Sequence, residues 1–175
     1  RNVLTRYEEL GVLSGNRFTD KSLENVFMIG FILDLFPNAR IVYCKRNPIS
    51  SAISILKNNL AALSWAHDVD DIFKYLECSS KAYNYWQKEH PSSIYEIDYD
   101  LLVTNQVDES KKLLEFCQLP WSEQCLSFHK EKNIVSKTAS VSQIRSPIHS
   151  DSVNKFKQYE LFFNPYKKVY KWLNE

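Results

Sequence analysis

The stretch FPNARIVYCKRNPISSAISILKNNL, residues 36–60, decides the fold of this chain. Pro37 ends a preceding helix, because proline disfavours helical geometry in the residue before it. Residues 41–44 form a short apolar, β-rich run, which is typical of a strand covered on both faces. Pro48 suits a first helical turn, and apolar residues then recur at helical spacing. The stretch therefore predicts a strand, a tight turn and a helix, the basic unit of an α/β fold.

The same stretch carries a candidate anion site. Arg46 follows the predicted parallel strand at its C-terminal end, where open α/β sheets bind their ligands. Ser54 comes later, about two turns into the helix. A guanidinium fork and a hydroxyl beside a helix N-terminus suit a phosphate, because backbone N–H groups and the helix dipole already favour an anion there. On spacing alone, an ordinary strand–turn–helix with Arg46 as a surface charge explains the stretch equally well.

Composition bounds the class of protein. The 175 residues have room for one domain with a core, and 44% hydrophobic and 14% aromatic content indicate a globular fold. A net charge of +1 predicts no nucleic-acid partner, although a small basic pocket is compatible with it. No signal peptide or apolar run of membrane-spanning length occurs, and we expect a cytoplasmic protein. Four cysteines without zinc spacing predict reduced core thiols and no metal site.

The rest of the chain predicts alternating strands and helices. Strands are predicted near Phe18, Val42 and Tyr95. Helices are predicted over residues 4–10, 25–36, 48–60, 69–89, 107–117, 120–131, 152–159 and 165–173. The strand–helix–strand order implies right-handed parallel crossovers, and hence one α/β domain over residues 1–175 with helices on both faces of the sheet.

Two motifs resemble one enzyme family. FPNARIVYCKRNP…S is similar to the 3′-phosphate-binding segment of sulfotransferases that use 3′-phosphoadenosine-5′-phosphosulfate (PAPS). The likeness is strongest to the tyrosylprotein type and to bacterial relatives with TPR repeats. It implies that Arg46 and Ser54 hold the 3′-phosphate of the donor. TDKSLEN before an apolar helix also resembles the family, and it implies that Lys21 lies near the transferring sulfuryl group. A solvated lysine at a strand end is the alternative for Lys21.

Two further motifs extend this resemblance over essentially the whole chain. Tyr99-Asp100-Leu101-Leu102 stands where the family has a Tyr-Glu-Asp-Leu type motif. It implies that Tyr99 lies against the adenine, with a core tyrosine as the alternative. The polar stretch over residues 134–149 resembles the loop that covers the nucleotide in the tyrosylprotein enzymes. Ser140, Gln143 and Pro147 match the Ser-x-x-Gln-x-x-x-Pro pattern of that loop, and Lys155 matches the lysine that follows it, which implies nucleotide contacts for these residues. Arg145 is an additional candidate cation in the same loop.

The resemblance also implies a fold and a reaction. The fold is a P-loop-NTPase-like parallel sheet flanked by helices, and the reaction is sulfuryl transfer from PAPS to an acceptor hydroxyl without a metal. The family begins with a strand and a phosphate loop rich in Gly, Ser and Thr, whereas none of the three glycines here lies in such a loop. We therefore expect an incomplete sheet, with an exposed apolar groove where that strand belongs. The missing strand and loop would lie upstream of Arg1 or be lost, and TPR repeats are a further upstream candidate.

Alternatives remain at this point. A catalytically incomplete nucleotide-binding or interaction module of the same fold is the alternative to an enzyme. A P-loop kinase is disfavoured because no GxxxxGK[ST] motif occurs. The class of the acceptor stays open. His67 is the local candidate for a general base, and a loop histidine without a catalytic role is the other interpretation.

Overall fold

The computed structural model describes residues 17–130, 145–151 and 153–174, together with Thr5 and Glu9. Within these ranges the protein is a mixed α/β structure, mostly helical, which confirms the predicted fold class. Strand β1 (Ile41–Lys45) pairs in parallel with strand β2 (Ile94–Asp98) to form a two-stranded sheet. The helix predicted at residues 4–10 lies mostly outside the described residues.

Helices make up most of the described structure. The α-helices are α1 (Ile29–Leu35), α2 (Pro48–Asn58), α3 (Val69–Glu89), α4 (Tyr99–Thr104), α5 (Gln106–Phe116) and α6 (Glu160–Val169). Short 3₁₀ helices lie at Leu23–Met28, Ser64–His67, Glu123–Leu126, Phe128–Lys130, Lys155–Tyr159 and Lys171–Asn174.

Helix α3 has the bounds predicted from the sequence. It begins where the Asp68 carboxylate accepts hydrogen bonds from the backbone N–H groups of Asp70 and Asp71. It ends at His90, before Pro91, because proline disfavours helical geometry in the residue before it. Local signals at both ends therefore specify the helix.

The prediction of a strand near Phe18 is wrong, because residues 17–20 adopt no regular secondary structure. The Phe18 ring instead meets the Phe36 ring edge-on, with centroids 5.6 Å apart. The Asp20 carboxylate accepts hydrogen bonds from the Ser22 backbone N–H and from the Asn25 side chain. Such local side-chain bonds favour a turn over an extended strand.

The predictions for the C-terminal helices need correction as well. Short 3₁₀ turns replace the helix predicted over residues 120–131. The next predicted helix, at 152–159, is a 3₁₀ helix within the described residues. Helix α6 begins at Glu160, so that Pro165 lies inside it instead of at its start.

Two clusters of buried residues form the core, and α3 contributes to both. Phe73 of α3 is fully buried among aromatic residues of the C-terminal segment, including Phe163 and Tyr166. Further along α3, Tyr83 packs under the sheet against residues of the second cluster, including Ile29 of α1 and Ile94 of β2. Helix α3 thus ties the sheet to the C-terminal segment.

Strand β1 is exposed on one face, so the prediction of a strand covered on both faces is wrong. Ile41 and Tyr43 pack towards α3, whereas Val42 and Cys44 are exposed. The physical reason is that α5 lies over β2, where Phe116 stacks on Tyr95 with ring centroids 5.2 Å apart. The prediction of core thiols is also wrong on burial, because Cys44 and Cys78 are exposed and the other two cysteines, Cys117 and Cys125, are half-buried. All four are free.

Candidate functional site

The parallel register brings two predicted site residues together. Lys45 and Asp98 form the last pair of the β1–β2 ladder, so Arg46 and Tyr99 are the next residues along the two strands. The Arg46 guanidinium carbon lies 4.4 Å from the centre of the Tyr99 ring. This distance is within the range of a cation–π interaction.

The turn after Arg46 is shaped by a helix cap. The Asn47 side chain accepts a hydrogen bond from the Ser50 backbone N–H at 3.0 Å, and Pro48 is the first residue of α2. The Ser51 hydroxyl donates to the Asn47 carbonyl at 3.2 Å. This cap places the N-terminus of α2 directly after Arg46. Sequence reasoning did not single out Asn47, although asparagine before a proline is a recognisable cap signal.

The Arg46 side chain holds an unused donor. Its Nε is buried and has no hydrogen-bond partner among the described residues. A buried donor without a partner is unfavourable by about 1–3 kcal/mol, more where the group is charged. Together with the N-terminus of α2, this donor makes the end of β1 a favourable place for an anion.

An open groove of about 2240 Å³ follows β1 over its whole length. Lys21, Lys45 and Arg46 are among the charged residues that line it. Several large apolar side chains on its walls are exposed: Leu23, Met28, Phe31, Leu35 and Val42. Lys21 is exposed, follows the Asp20 turn and lines the same groove as Arg46.

Ser54 lies apart from this groove. It is half-buried on α2, and its backbone carbonyl accepts a hydrogen bond from the Asn58 side chain at 2.8 Å. Ser51, one turn earlier, lines the groove instead. Sequence reasoning missed Ser51, although it stands in the first turn after Pro48, where a hydroxyl can reach the capping residue.

The remaining predicted site residues do not join the groove in this structure. Arg145 and Lys155 are exposed and are not among its lining residues. Lys155 begins a 3₁₀ helix that packs against α2, where Lys57 lies over the Tyr159 ring. Ser140 and Gln143 lie outside the described residues. His67 is exposed at the end of its 3₁₀ helix and does not line the groove.

One wall of the groove carries a polar cluster that the sequence did not reveal. The Tyr43 and Tyr83 rings stack with centroids 3.8 Å apart, and Lys45 forms an ion pair with Glu96 at 3.1 Å. Burial first, and then the Glu96 carboxylate, raises the pKa of Tyr83 above its ordinary value of 10.0. Burial also raises the pKa of Tyr43. Alternation along the two strands places Tyr43, Lys45 and Glu96 on one face of the sheet, but only the strand pairing and the packing of α3 show that these side chains and Tyr83 lie together.

Two kinds of feature are absent from the described ranges. No cluster of three or more His, Cys, Asp or Glu side chains there is suited to holding a metal ion. Among the helices of residues 17–130, 145–151 and 153–174, none combines the length and the apolar character needed to cross a membrane.

Comparison with known proteins agrees with the fold class and with the family resemblance of the sequence. The model of the sulfotransferase family matches residues 5–123. An uncharacterized protein of Aquifex aeolicus is 37% identical over 153 residues, which are 85% of this chain and 20% of that protein. The chain therefore spans about a fifth of the length of this relative. This chain belongs to the sulfotransferase family.

Proposed function

We propose that this chain forms the donor-binding part of a sulfotransferase that transfers a sulfuryl group from PAPS to an acceptor hydroxyl. Membership of the family supports the reaction class. The observation that supports PAPS as the sulfuryl donor is the position of Arg46 at the end of β1. Its buried Nε has no hydrogen-bond partner among the described residues. An arginine fork beside a helix N-terminus is well suited to a phosphate.

In this proposal Arg46 binds the 3′-phosphate of PAPS. The guanidinium offers several N–H donors in one plane, and the capped N-terminus of α2 adds a favourable dipole. Ser54, Ser140, Gln143, Arg145 and Lys155 complete the donor contacts, and Tyr99 lies against Arg46 at the end of β1. Ser54 does not line the groove in this structure, whereas Ser51 does.

Lys21 acts on the other end of the donor. Its ammonium group offsets the negative charge that develops on the bridging oxygen as the sulfur–oxygen bond breaks. By analogy with phosphoryl transfer, catalysis then depends mainly on positioning and on charge stabilisation of a loose transition state. The acceptor hydroxyl loses its proton to a base that this proposal leaves unassigned.

The reaction is tested with radiolabelled PAPS and the intact protein. Peptide tyrosine, carbohydrate, lipid and small hydroxyl compounds are offered as separate acceptors, and labelled product is counted. Transfer to at least one acceptor class supports the proposal. Binding of adenosine 3′,5′-bisphosphate without any transfer favours the catalytically incomplete module, and neither binding nor transfer contradicts both.

The role of Arg46 is tested by calorimetry with adenosine 3′,5′-bisphosphate. Arg46→Ala removes a charge-assisted pair, and we expect a loss of about 2–5 kcal/mol in binding free energy. Arg46→Lys restores part of it, because a point charge cannot replace the fork. Lys88→Ala removes an exposed charge from the far end of α3 and is the control. Equal affinity of Arg46→Ala and the control removes Arg46 from the site.

A further inference from the structure

We infer that Tyr99 is a positioning residue, whose ring holds the Arg46 guanidinium at the end of β1 so that its donors face the bound anion. This inference rests on the proposed function, in which Arg46 binds the 3′-phosphate. It assigns the Tyr99 ring to the arginine and not to the adenine of the donor. The two roles predict different losses when the ring is removed.

The contact between the two side chains supports this assignment. The guanidinium carbon is 4.4 Å from the ring centre, close enough for the face of the ring to attract the cation. Both residues follow directly on paired strands, Arg46 after β1 and Tyr99 after β2. The pair therefore arises from the sheet register and not from a chance meeting of surface side chains.

Each partner stands on a well-defined piece of backbone. Tyr99 is the first residue of α4, whose start is capped by the Asp98 carboxylate accepting from the Leu101 backbone N–H at 2.9 Å. Arg46 precedes the Asn47 cap of α2. A ring mounted on a capped helix limits the rotamers of an arginine held against it, so less side-chain freedom is lost when a ligand binds.

The chemistry of arginine makes such a support useful. A guanidinium can stack on an aromatic ring while the N–H donors in its plane remain able to bind an anion. The buried Nε of Arg46 fits this arrangement, because no described residue accepts its hydrogen bond. The ring is the essential part of Tyr99 for this role, and its hydroxyl is dispensable.

Two ligands separate this role from contact with the adenine. Adenosine 3′,5′-bisphosphate carries the 3′-phosphate, and adenosine 5′-monophosphate lacks it. Calorimetry on the intact protein compares the wild type with Tyr99→Leu, which loses the ring, and Tyr99→Phe, which keeps it. For Tyr99→Leu we expect affinity for the bisphosphate to fall about tenfold and affinity for the monophosphate to change less than about twofold. For Tyr99→Phe both affinities stay within about twofold of the wild type.

A double-mutant cycle gives a second, independent readout. If the ring acts through Arg46, adding Tyr99→Leu to Arg46→Ala causes no further loss of bisphosphate affinity. Thermal melts verify that each variant folds, and Tyr99→Gln replaces Tyr99→Leu if that variant does not.

The outcomes distinguish this inference from the proposed function. Equal losses for both ligands in Tyr99→Leu, or losses that multiply in the double variant, overturn the inference and leave the proposed function standing. If the wild type does not bind the bisphosphate, the proposed function is overturned, and the inference about Tyr99 is overturned as well.

Discussion

The two strands of the sheet have the same length, yet their burial differs. Ile97 of β2 is 3% exposed, whereas Val42 of β1 is 41% exposed. On the face where they differ, α5 and its Phe116 lie over β2, whereas Val42 and Cys44 of β1 are exposed. A strand of apolar residues is therefore buried only where a helix packs on it.

The exposed strand is the one that carries the candidate site. The groove follows β1, which Arg46 directly follows, while Tyr99 is the first residue after β2. A ligand needs an accessible edge, and the residues that orient the site need a rigid support. Strand β1 provides the accessible edge, and β2 provides the rigid support.

Truncation of one side chain on each strand is expected to give the largest effect. Ile97→Ala removes buried methyl and methylene groups and leaves a cavity, so we expect a loss of about 3 kcal/mol in the free energy of unfolding. Val42→Ala removes exposed groups and is expected to lose about 0.5 kcal/mol. Urea unfolding of both variants measures the difference. Equal losses would mean that β1 is covered as well as β2.

A second change tests the packing on the other face of the sheet, where residues of both strands pack against α3. A methyl group at Gly30 of α1 would lie 2.7 Å from Trp86 Cζ3 and still nearer to Cη2, on a ring that packs against Tyr85 and His90. In an open helix, Gly→Ala stabilises by about 1 kcal/mol. Here we expect Gly30→Ala to destabilise the protein by about 2 kcal/mol, because overpacking outweighs that gain.

The matched control for Gly30→Ala is a double variant. Trp86→Phe removes the ring atoms that the new methyl group meets, so Gly30→Ala should cost much less in that background. Additive losses in chemical unfolding would show that the methyl group is accommodated elsewhere.

The smallest expected effect concerns pH. Burial and the Glu96 carboxylate raise the pKa of Tyr83 in the folded protein above 10.0, so its neutral form is favoured there. The resulting contribution to stability is present below pH 10.0 and is lost as pH rises towards the folded-state pKa. The free energy of unfolding should then fall by about 1.4 kcal/mol per pH unit from this group.

Unfolding in urea at about pH 9 and about pH 11 measures this slope. Tyr83→Phe should reduce the slope, because the variant has no hydroxyl to ionise at this position. Tyr85→Phe removes an exposed hydroxyl from the same helix and is the control. An unchanged slope in Tyr83→Phe would show that Tyr83 ionises alike in the folded and unfolded states.

Elements with strong local signals could be predicted from the sequence. Helix α3 has an aspartate cap and a terminal proline, and α2 begins at a proline, so their N-termini are specified within a few residues. The strand near Phe18 could not be predicted correctly, because Asp20 forms a turn that competes with extension. The contact between Tyr99 and Arg46 could not be predicted from the sequence either, because it depends on the register between two strands that are far apart in the chain.

By itself, the sequence determined the α/β class, the order of β1, α2, α3 and β2, and the arginine that follows the first strand. These features depend on periodicity, caps and proline, which act over a few residues. Only the tertiary structure decided that Ser51 and not Ser54 lines the groove, that β1 is exposed, and that Arg46 meets Tyr99. Each of these three features depends on which distant segment of the chain packs against a given surface. Burial and strand pairing between elements remote in sequence determine that packing.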